Sequence, residues 1–412
     1  MAARPNGYLR VAKPSAMEFE YRWLLLGFAL FFALGWIAAR IDIKQLITES
    51  RALPRSYFRG LNFLLNEQPD KAIEAFIEVV KVDPQTVDLH FALGNLFRRR
   101  GEVERAIRMH QNLADREDLA PDQRLHALFE LGQDFLKAGF LDRSEEHFLK
   151  LKGTSLEPQA REMLLEIYQK ENDWAKAIEI TRASALQGDQ PNQRNLAQFY
   201  CELAQQDLTH ARYDPARVRI YEALAANRKC ARASLLLGDA EVATGNPVQA
   251  IEAWKSIESQ DPRYLALVAQ RMLSAYKQAG QLEAGMTLMK AYLAAYPSLD
   301  LFNVLYQSVL DMEGAARAHE FVREELKRTP TLMGLDKLLE AQLLDAPLDR
   351  RRDLEMIRAL VHQHTRGLSL YRCDQCGFKA RQYYWHCPAC GGWETYPPRR
   401  MEERELMGQH GA

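Results

Sequence analysis

From about Leu53 to Pro297 the apolar positions recur with helical spacing, and the helices themselves recur in pairs at a step of 34 residues. Small and aromatic residues keep the register. Gly60, Phe63, Ala72 and Phe76 return as Gly94, Phe97, Ala106 and His110, and Pro84 closes the first unit. Further copies carry Leu131-Gly132, Phe135, Ser144 and Phe148; Tyr168 with Ala177; Leu237-Gly238, Ala250, Trp254 and Pro262; and Tyr276. A small residue lets two antiparallel helices approach closely and the following ring fills the space between them, which is the tetratricopeptide pattern. The step widens to 38 between Gly94 and Gly132, with the surplus in the polar stretch 115–122, predicted as a longer loop. The pair around Tyr200 and Ala216 is irregular, its register open to a shift of several residues. After Pro297 the signature fades, while helical periodicity continues through Leu301–Lys327, Leu332–Leu344 and Asp349–His364. These last helices are predicted to cap the array, because an end repeat needs a face that tolerates water. No strand pattern competes before residue 370.

One run stands apart from this periodicity. Leu24 to Ala39 holds sixteen residues without a charge or a proline. As a helix it reaches about 24 Å, short of the ~30 Å hydrocarbon core, and Tyr21, Trp23 and Trp36 extend it into the interfaces. The expectation is a single transmembrane helix. A cleavable signal peptide is the competing reading, but no small-x-small site followed by a polar mature start is evident. Arg4, Arg10, Lys13 and Arg22 before the run nearly balance Arg40, Lys44, Arg51, Arg55 and Arg59 after it. Translation from Met17 would leave only Arg22 on the first side and place the body in the cytoplasm.

The candidate chemistry lies near the other end. Cys373-x-x-Cys376 and Cys387-x-x-Cys390 are matched pairs with ten residues between them. Two residues between cysteines let both sulfurs turn toward one point, and two facing pairs supply a closed tetrahedral thiolate site with no open position for substrate. Gly377 and Gly391 follow the second cysteine of each pair, and Pro388 stiffens the second turn. Zinc and iron both suit four thiolates. His386 is expected to tune Cys387 by hydrogen bonding rather than to bind metal. Tyr371, Phe378, Tyr383, Tyr384, Trp385 and Trp393 supply an aromatic layer read as core packing. A module of roughly thirty residues is too small for its own core, so metal binding becomes its folding energy. The other cysteines, Cys201 and Cys230, read as buried free thiols in helices, and the whole set suits a reducing compartment.

Of 412 residues, 47% are hydrophobic and 26% charged, enough to bury a large core. Lys+Arg 54 against Asp+Glu 55 excludes the basic footprint of a general nucleic-acid binder. No phosphate-binding glycine loop, His-Glu-x-x-His helix or nucleophile elbow is present, and the histidines are scattered. His110 falls on a packing position, and His362 and His364 read as solvated. The chain is therefore expected to bind rather than to catalyse, through the concave face that stacked helix pairs create. Helical phase turns Asn95, Arg98 and Arg99 toward that face as candidate partner contacts. Tyr57 and Leu61 replace residues that clamp a peptide carboxylate in other tetratricopeptide proteins, which disfavours a terminal-carboxylate ligand. Self-association into a homo-oligomer is compatible with such a surface.

The combination resembles the bacterial lipopolysaccharide assembly protein B family (LapB, also called YciM). The likeness covers nearly the whole chain after Met17. It is carried by Gly35-Trp36, Gly60-Leu61-Asn62-Phe63-Leu64-Leu65, Leu93-Gly94-Asn95-Leu96-Phe97-Arg98, Arg100-Gly101-Glu102-Val103, Phe199-Tyr200-Cys201-Glu202-Leu203-Ala204, Tyr371-Arg372-Cys373 and Trp385-His386-Cys387-Pro388. The resemblance implies a bacterial inner-membrane adaptor with its body in the cytoplasm. Such proteins promote degradation of the deacetylase LpxC by the membrane protease FtsH and respond to an inner-membrane lipopolysaccharide sensor. It also implies a rubredoxin-like module packed on the solenoid, with Cys373, Cys376, Cys387 and Cys390 as ligands and iron slightly favoured over zinc. The sixteen-residue N-terminal tail and the residues after Arg400 depart from the family pattern.

The expected fold class is thus an all-α tetratricopeptide solenoid with an N-terminal transmembrane helix and a small rubredoxin-like knuckle. Its parts are a tail (1–20), the membrane helix (21–40), a linker (41–52), repeats (53–297), further helical repeats and cap (298–366), the metal module (367–398) and a C-terminal tail (399–412). The function expected is regulation of lipopolysaccharide synthesis as a non-enzymatic adaptor. A redox- or iron-sensing regulator and a scaffold for lipopolysaccharide transport are the alternatives.

Overall fold

The computed structural model describes residues 30–37, 55–66, 68–82, 87–186 and 193–410. The expected tail 1–20, linker 41–52 and alternative start at Met17 lie outside these. Of the expected membrane helix, 30–37 are described. They form a helix, α1, with Phe31 and Phe32 about three-quarters exposed. Among the described residues no helix is long and apolar enough to cross a membrane.

The chain divides after Leu151 into two compact units. The first contains α2 (Arg55–Leu65), α3 (Pro69–Val82), α4 (Val87–Arg99), α5 (Val103–Ala114), α6 (Pro121–Ala138) and α7 (Leu141–Leu149). The second continues with α8 (Glu157–Glu171), α9 (Trp174–Leu186), α10 (Gln193–Thr209), α11 (Tyr213–Ala226), α12 (Ala231–Ala243), α13 (Pro247–Gln260), α14 (Leu265–Gln278) and α15 (Leu282–Ala295). Next come α16 (Leu299–Glu313), α17 (Ala315–Arg328), α18 (Leu332–Asp345) and α19 (Leu348–Leu368), then β1 (Tyr371–Arg372), β2 (Lys379–Ala380) and α20 (Met401–His410).

Close approach explains the repeat glycines. A Cβ on Gly132 would stand 2.8 Å from the Phe148 ring, and one on Gly60, Gly94 or Gly238 would overlap Phe76, His110 or Trp254 even more closely. Ala72, Ala106 and Ala250 are fully buried on the facing helix, and Ser144 at the same position donates to the Gly132 carbonyl at 2.8 Å. The extra residues after Gly94 form the expected loop, with α5 ending at Ala114 and α6 starting at Pro121, and Leu119 anchors that loop by being buried. The irregular pair is structurally regular. Ala204 and Ile220 stand twelve residues before and four after Ala216, where other pairs have glycine and a ring, and all three are fully buried. A smaller side chain opposite the alanine replaces the glycine–ring fit, so the sequence signature blurs while the helix pair persists.

Three expectations change in the last third. The continuous period from Leu301 to Lys327 breaks at Gly314, whose φ of +84° separates α16 from α17. The final helix α19 is not polar throughout: amid its exposed charged residues, Met356, Ile357 and Leu360 are 60%, 45% and 56% exposed. The stretch expected as a tail contains α20, whose Glu402 and Glu403 are buried. Both carboxylates cap helices elsewhere in the sequence. Glu403 accepts from the Leu299 N–H at 2.6 Å at the start of α16, and Glu402 accepts from the Leu332 and Met333 N–H groups at the start of α18. The first N–H groups of a helix have no partner within it, and an anion there is favoured by the helix dipole.

Candidate metal centre and its seat

The two cysteine pairs fold as the same turn twice. The Gly377 N–H donates to the Cys373 carbonyl at 3.1 Å, and the Gly391 N–H to the Cys387 carbonyl at 2.9 Å. Both glycines take positive φ, +77° and +68°, which a side chain would strain. The strand pair β1–β2, with Tyr371 opposite Ala380, holds the first turn, and a bridge between His386 and Trp393 holds the second. Cys373 and Cys390 bring their Sγ atoms to 3.8 Å, Cys376 and Cys387 to 3.7 Å, and all four sulfurs lie within 4.8 Å of one another. A tetrahedral ion with metal–sulfur bonds of about 2.3 Å requires sulfur–sulfur edges of about 3.8 Å.

Charge explains why such a cluster calls for a cation. Burial works against ionising Cys373, but the Thr395 hydroxyl and the Cys376 and Gln375 N–H groups outweigh it and hold that thiol down to about 6. At Cys376 the Phe378 N–H favours the thiolate, yet the three neighbouring sulfurs together with local desolvation at this exposed position push the thiol up to about 12. One negative charge is accommodated by hydrogen bonds, and further ones require a positive ion. The edges, the N–H donors and the sulfur set fit one metal ion, which the four cysteines could hold.

His386 is not placed as a ligand. Its Nε2–H donates to the Gly391 carbonyl at 2.9 Å and its ring stacks on Trp393 with centroids 4.4 Å apart, so it braces the second turn rather than a sulfur. Burial lowers its pKa and favours the neutral ring. The aromatic layer divides by role. Tyr371, Phe378, Tyr383, Tyr384 and Tyr396 pack with Cys373 and Cys387 as the module's small core. Trp385 and Trp393 instead face the repeat helices. Trp393 meets Trp174 of α9 and Phe199 of α10 edge-on, with centroids 5.8 and 5.9 Å away, and its Nε1–H donates to Gln169 Oε1 at 3.1 Å. Trp385 stacks on Tyr264 at 4.9 Å. Arg232 of α12 lies over both tryptophans, 5.7 and 5.9 Å from their centroids, while bonding Glu202 at 2.9 Å and Gln198 at 3.2 Å. Gln198 also donates to Glu394 at 2.7 Å.

A second set of contacts holds the end of the module. Arg400 grips Asp300 of α16 at 2.8 and 2.9 Å, covers the Tyr371 ring at 4.0 Å, and shares Asp300 with the Tyr371 hydroxyl at 2.5 Å. Gln169, Gln198, Arg232, Tyr264, Asp300 and Arg400 were not anticipated from sequence. Arg232 alone carries a signal, as a lone cation in the run Cys230-Ala-Arg-Ala-Ser-Leu-Leu-Leu-Gly238.

The candidate partner contacts have other occupations. Arg98 donates to Asn95 Oδ1 at 2.6 Å, Glu130 Oε2 at 2.5 Å and Asp134 Oδ1 at 2.8 Å, and the other Asp134 oxygen lies 2.5 Å from His110 Nδ1. With His110 and Asp134 fully buried, this network ties α4, α5 and α6 together. Arg99 is exposed. Cys201 and Cys230 are buried free thiols with sulfurs 3.8 Å apart.

Comparison with known proteins agrees with this architecture. Residues 371–398 match the rubredoxin metal binding domain family, and 59–122 and 201–263 match the tetratricopeptide repeat family. Lipopolysaccharide assembly protein B of Escherichia coli strain K12 is 35% identical over 384 residues, covering 92% of this chain and 98% of that protein. The protein of the same name from Haemophilus influenzae is 30% identical, covering 93% and 99%. With helix pairs, metal ribbon and full-length identity in agreement, the chain belongs to the lipopolysaccharide assembly protein B family.

Proposed function

We propose that this protein is a non-enzymatic adaptor, anchored in the bacterial inner membrane by residues 21–40 with its body in the cytoplasm, that regulates lipopolysaccharide synthesis. In this reading it brings the deacetylase LpxC to the membrane protease FtsH and takes its input from an inner-membrane lipopolysaccharide sensor. Cys373, Cys376, Cys387 and Cys390 hold one ion, with iron slightly favoured over zinc by the family resemblance. The observation that carries the reading is the seat of Trp385 and Trp393 on α9, α10 and α12, which makes the metal ribbon part of a binding scaffold rather than a separate reaction centre. Arg99 is the member of the Asn95, Arg98 and Arg99 set that stays available to a partner. Tethering raises the effective concentration of two proteins on one membrane, so weak contacts suffice.

Deleting Leu24 to Ala39 tests the reading. The expected product is folded and soluble, and no longer sustains LpxC turnover in cells; an unchanged LpxC half-life rejects it. Site-specific crosslinking in the same cells separates FtsH and LpxC from lipopolysaccharide transport proteins as partners. The exposed Cys376 supports a second reading, a redox- or iron-sensing switch. A reversible visible Fe(III)–thiolate band whose bleaching changes LpxC turnover would favour it, and a colourless zinc protein would reject it.

A further inference from the structure

Away from the ribbon seat, α16, α18, α19 and the loop after β2 enclose an open cavity of about 580 Å³. Its volume falls in the range of small-molecule sites. Its lining is polar and cationic: Lys337 of α18, Arg366 of α19 and Arg381 of the ribbon face it together with Asn303, His362 and Asp336. The single carboxylate is already countered, since Asp336 lies 3.4 Å from Arg358 Nε and 3.6 Å from His362 Nδ1. Lys337 shares Glu340 with Arg358, at 3.1 and 2.6 Å. Arg366 and Arg381 have no ion-pair partner among the described residues. Two guanidinium groups, one at the end of α19 and one just after β2, therefore converge on one concavity without a counter-charge, and the Lys337 ammonium stands beside them.

Like charges gathered in a concave space repel one another and focus a positive potential, which an anion relieves. The planar forks of arginine match phosphate oxygens two at a time. The space exceeds inorganic phosphate and admits a sugar-sized body, for which Asn303 offers both donor and acceptor. We infer that this cavity is a binding site for a phosphate-bearing ligand, with Arg366 and Arg381 gripping the phosphate and Lys337 adding charge. The same chemistry is presented by a soluble phosphate monoester and by a phospholipid headgroup.

The test uses the full-length, metal-loaded chain in neutral detergent, with binding followed by titration calorimetry. The probes are inorganic phosphate, glucose 6-phosphate, glucose and monomeric dihexanoylphosphatidylglycerol. Glucose 6-phosphate or the phosphatidylglycerol is expected to bind at one site per chain, and glucose is not. The Arg366→Gln/Arg381→Gln double variant is expected to weaken that binding at least about tenfold, because two charge-assisted contacts are removed. Arg350→Gln, an exposed arginine at the start of the same helix, is expected to leave it unchanged. Both arginines of the double variant are exposed and unpaired, so the variant folds, which circular dichroism verifies. Binding of the monoester alone assigns a soluble ligand, and binding of the phosphatidylglycerol alone assigns a headgroup. No saturable binding of any phosphate probe, or equal weakening by Arg350→Gln, overturns the site.

Discussion

The helix pairs and the ribbon seat are both tight packings of rings against helices, yet they are built on different length scales. Within a pair, Gly132 meets Phe148 sixteen residues later, and the same offset joins Gly94 to His110 and Gly238 to Trp254. At the seat, Trp393 reaches Gln169 across 224 residues and Glu394 reaches Gln198 across 196. A pair is a local device repeated along the chain, so each copy supports its neighbours and tolerates the loss of one good fit. The seat is assembled once, from a small four-cysteine module and a few unique side chains. Damage should therefore be graded in the repeats and abrupt at the ribbon.

Cys387→Ser gives the largest effect. Cys387 is fully buried and supplies one of four sulfurs, and where four thiolates or imidazoles hold a structural zinc ion, metal binding contributes on the order of 10–16 kcal/mol to folding. The variant is expected to lose stoichiometric metal, to be cleaved by protease between residues 370 and 400, and to lose client turnover as a consequence, while the helix pairs keep their circular dichroism. Trp393→Ala sharpens the contrast, since it leaves the four sulfurs intact and removes a ring packed edge-on against the stacked pair Trp174 and Phe199. It is expected to retain metal while losing about 3–5 kcal/mol of ribbon docking, seen as increased amide exchange in residues 371–398. A metal-free yet protease-resistant Cys387→Ser protein would show that the ribbon folds without its metal.

The same difference in range decides what was legible in sequence. The repeat glycines, their facing rings and the cysteine turns are local patterns, and each predicted pair appears in the structure. The Asn95–Arg98 cluster was visible as polar residues on one helix, but its partners Glu130 and Asp134 belong to the next repeat, so a structural network resembled a binding surface. Ala204 and Ile220 hid a regular pair by exchanging sizes across the interface. Glu402 and Glu403 gave no sign that they cap α16 and α18, because a capping carboxylate is recognised from sequence only when it precedes its own helix. Trp385 and Trp393 were read as core rings, and only their placement reveals that they point out of the module.

Proton linkage separates the seat from the repeats by a smaller margin. Burial pushes the Glu403 carboxyl up to about 7, against the pull of the Leu299 and Arg400 N–H groups, whereas an unfolded glutamate titrates near 4.5. Between these values the folded chain keeps a proton that the unfolded chain has released. The stability from this group is fully present below about pH 4.5 and is lost as the pH rises through 7. The loss amounts to at most about 3 kcal/mol, at 1.36 kcal/mol per pH unit. The thermal unfolding midpoint is expected to fall from pH 5 to pH 8, and Glu403→Gln, which keeps an acceptor for Leu299, is expected to flatten that slope. An identical slope in the variant would assign the pH dependence to other groups.

The smallest effects test whether the repeats are graded as their packing implies. Gly238→Ala forces a methyl group into the Trp254 indole, whose Nε1–H is already committed to the Leu235 carbonyl at 3.0 Å. The ring cannot retreat without losing that bond, so overpacking is expected to cost about 1–3 kcal/mol. At the corresponding position of the preceding pair, alanine is native and Ile220 stands where the ring would be. Ala204→Gly there removes one buried methyl and a helix-favouring residue, and is expected to cost about 1 kcal/mol from propensity together with a smaller cavity contribution. Chemical denaturation of both variants, with the metal content held equal, measures the ratio. A larger loss for Ala204→Gly than for Gly238→Ala would mean that the two pairs do not share one register, since the Gly–ring fit and the Ala–Ile fit would then fill different layers of the helix pair.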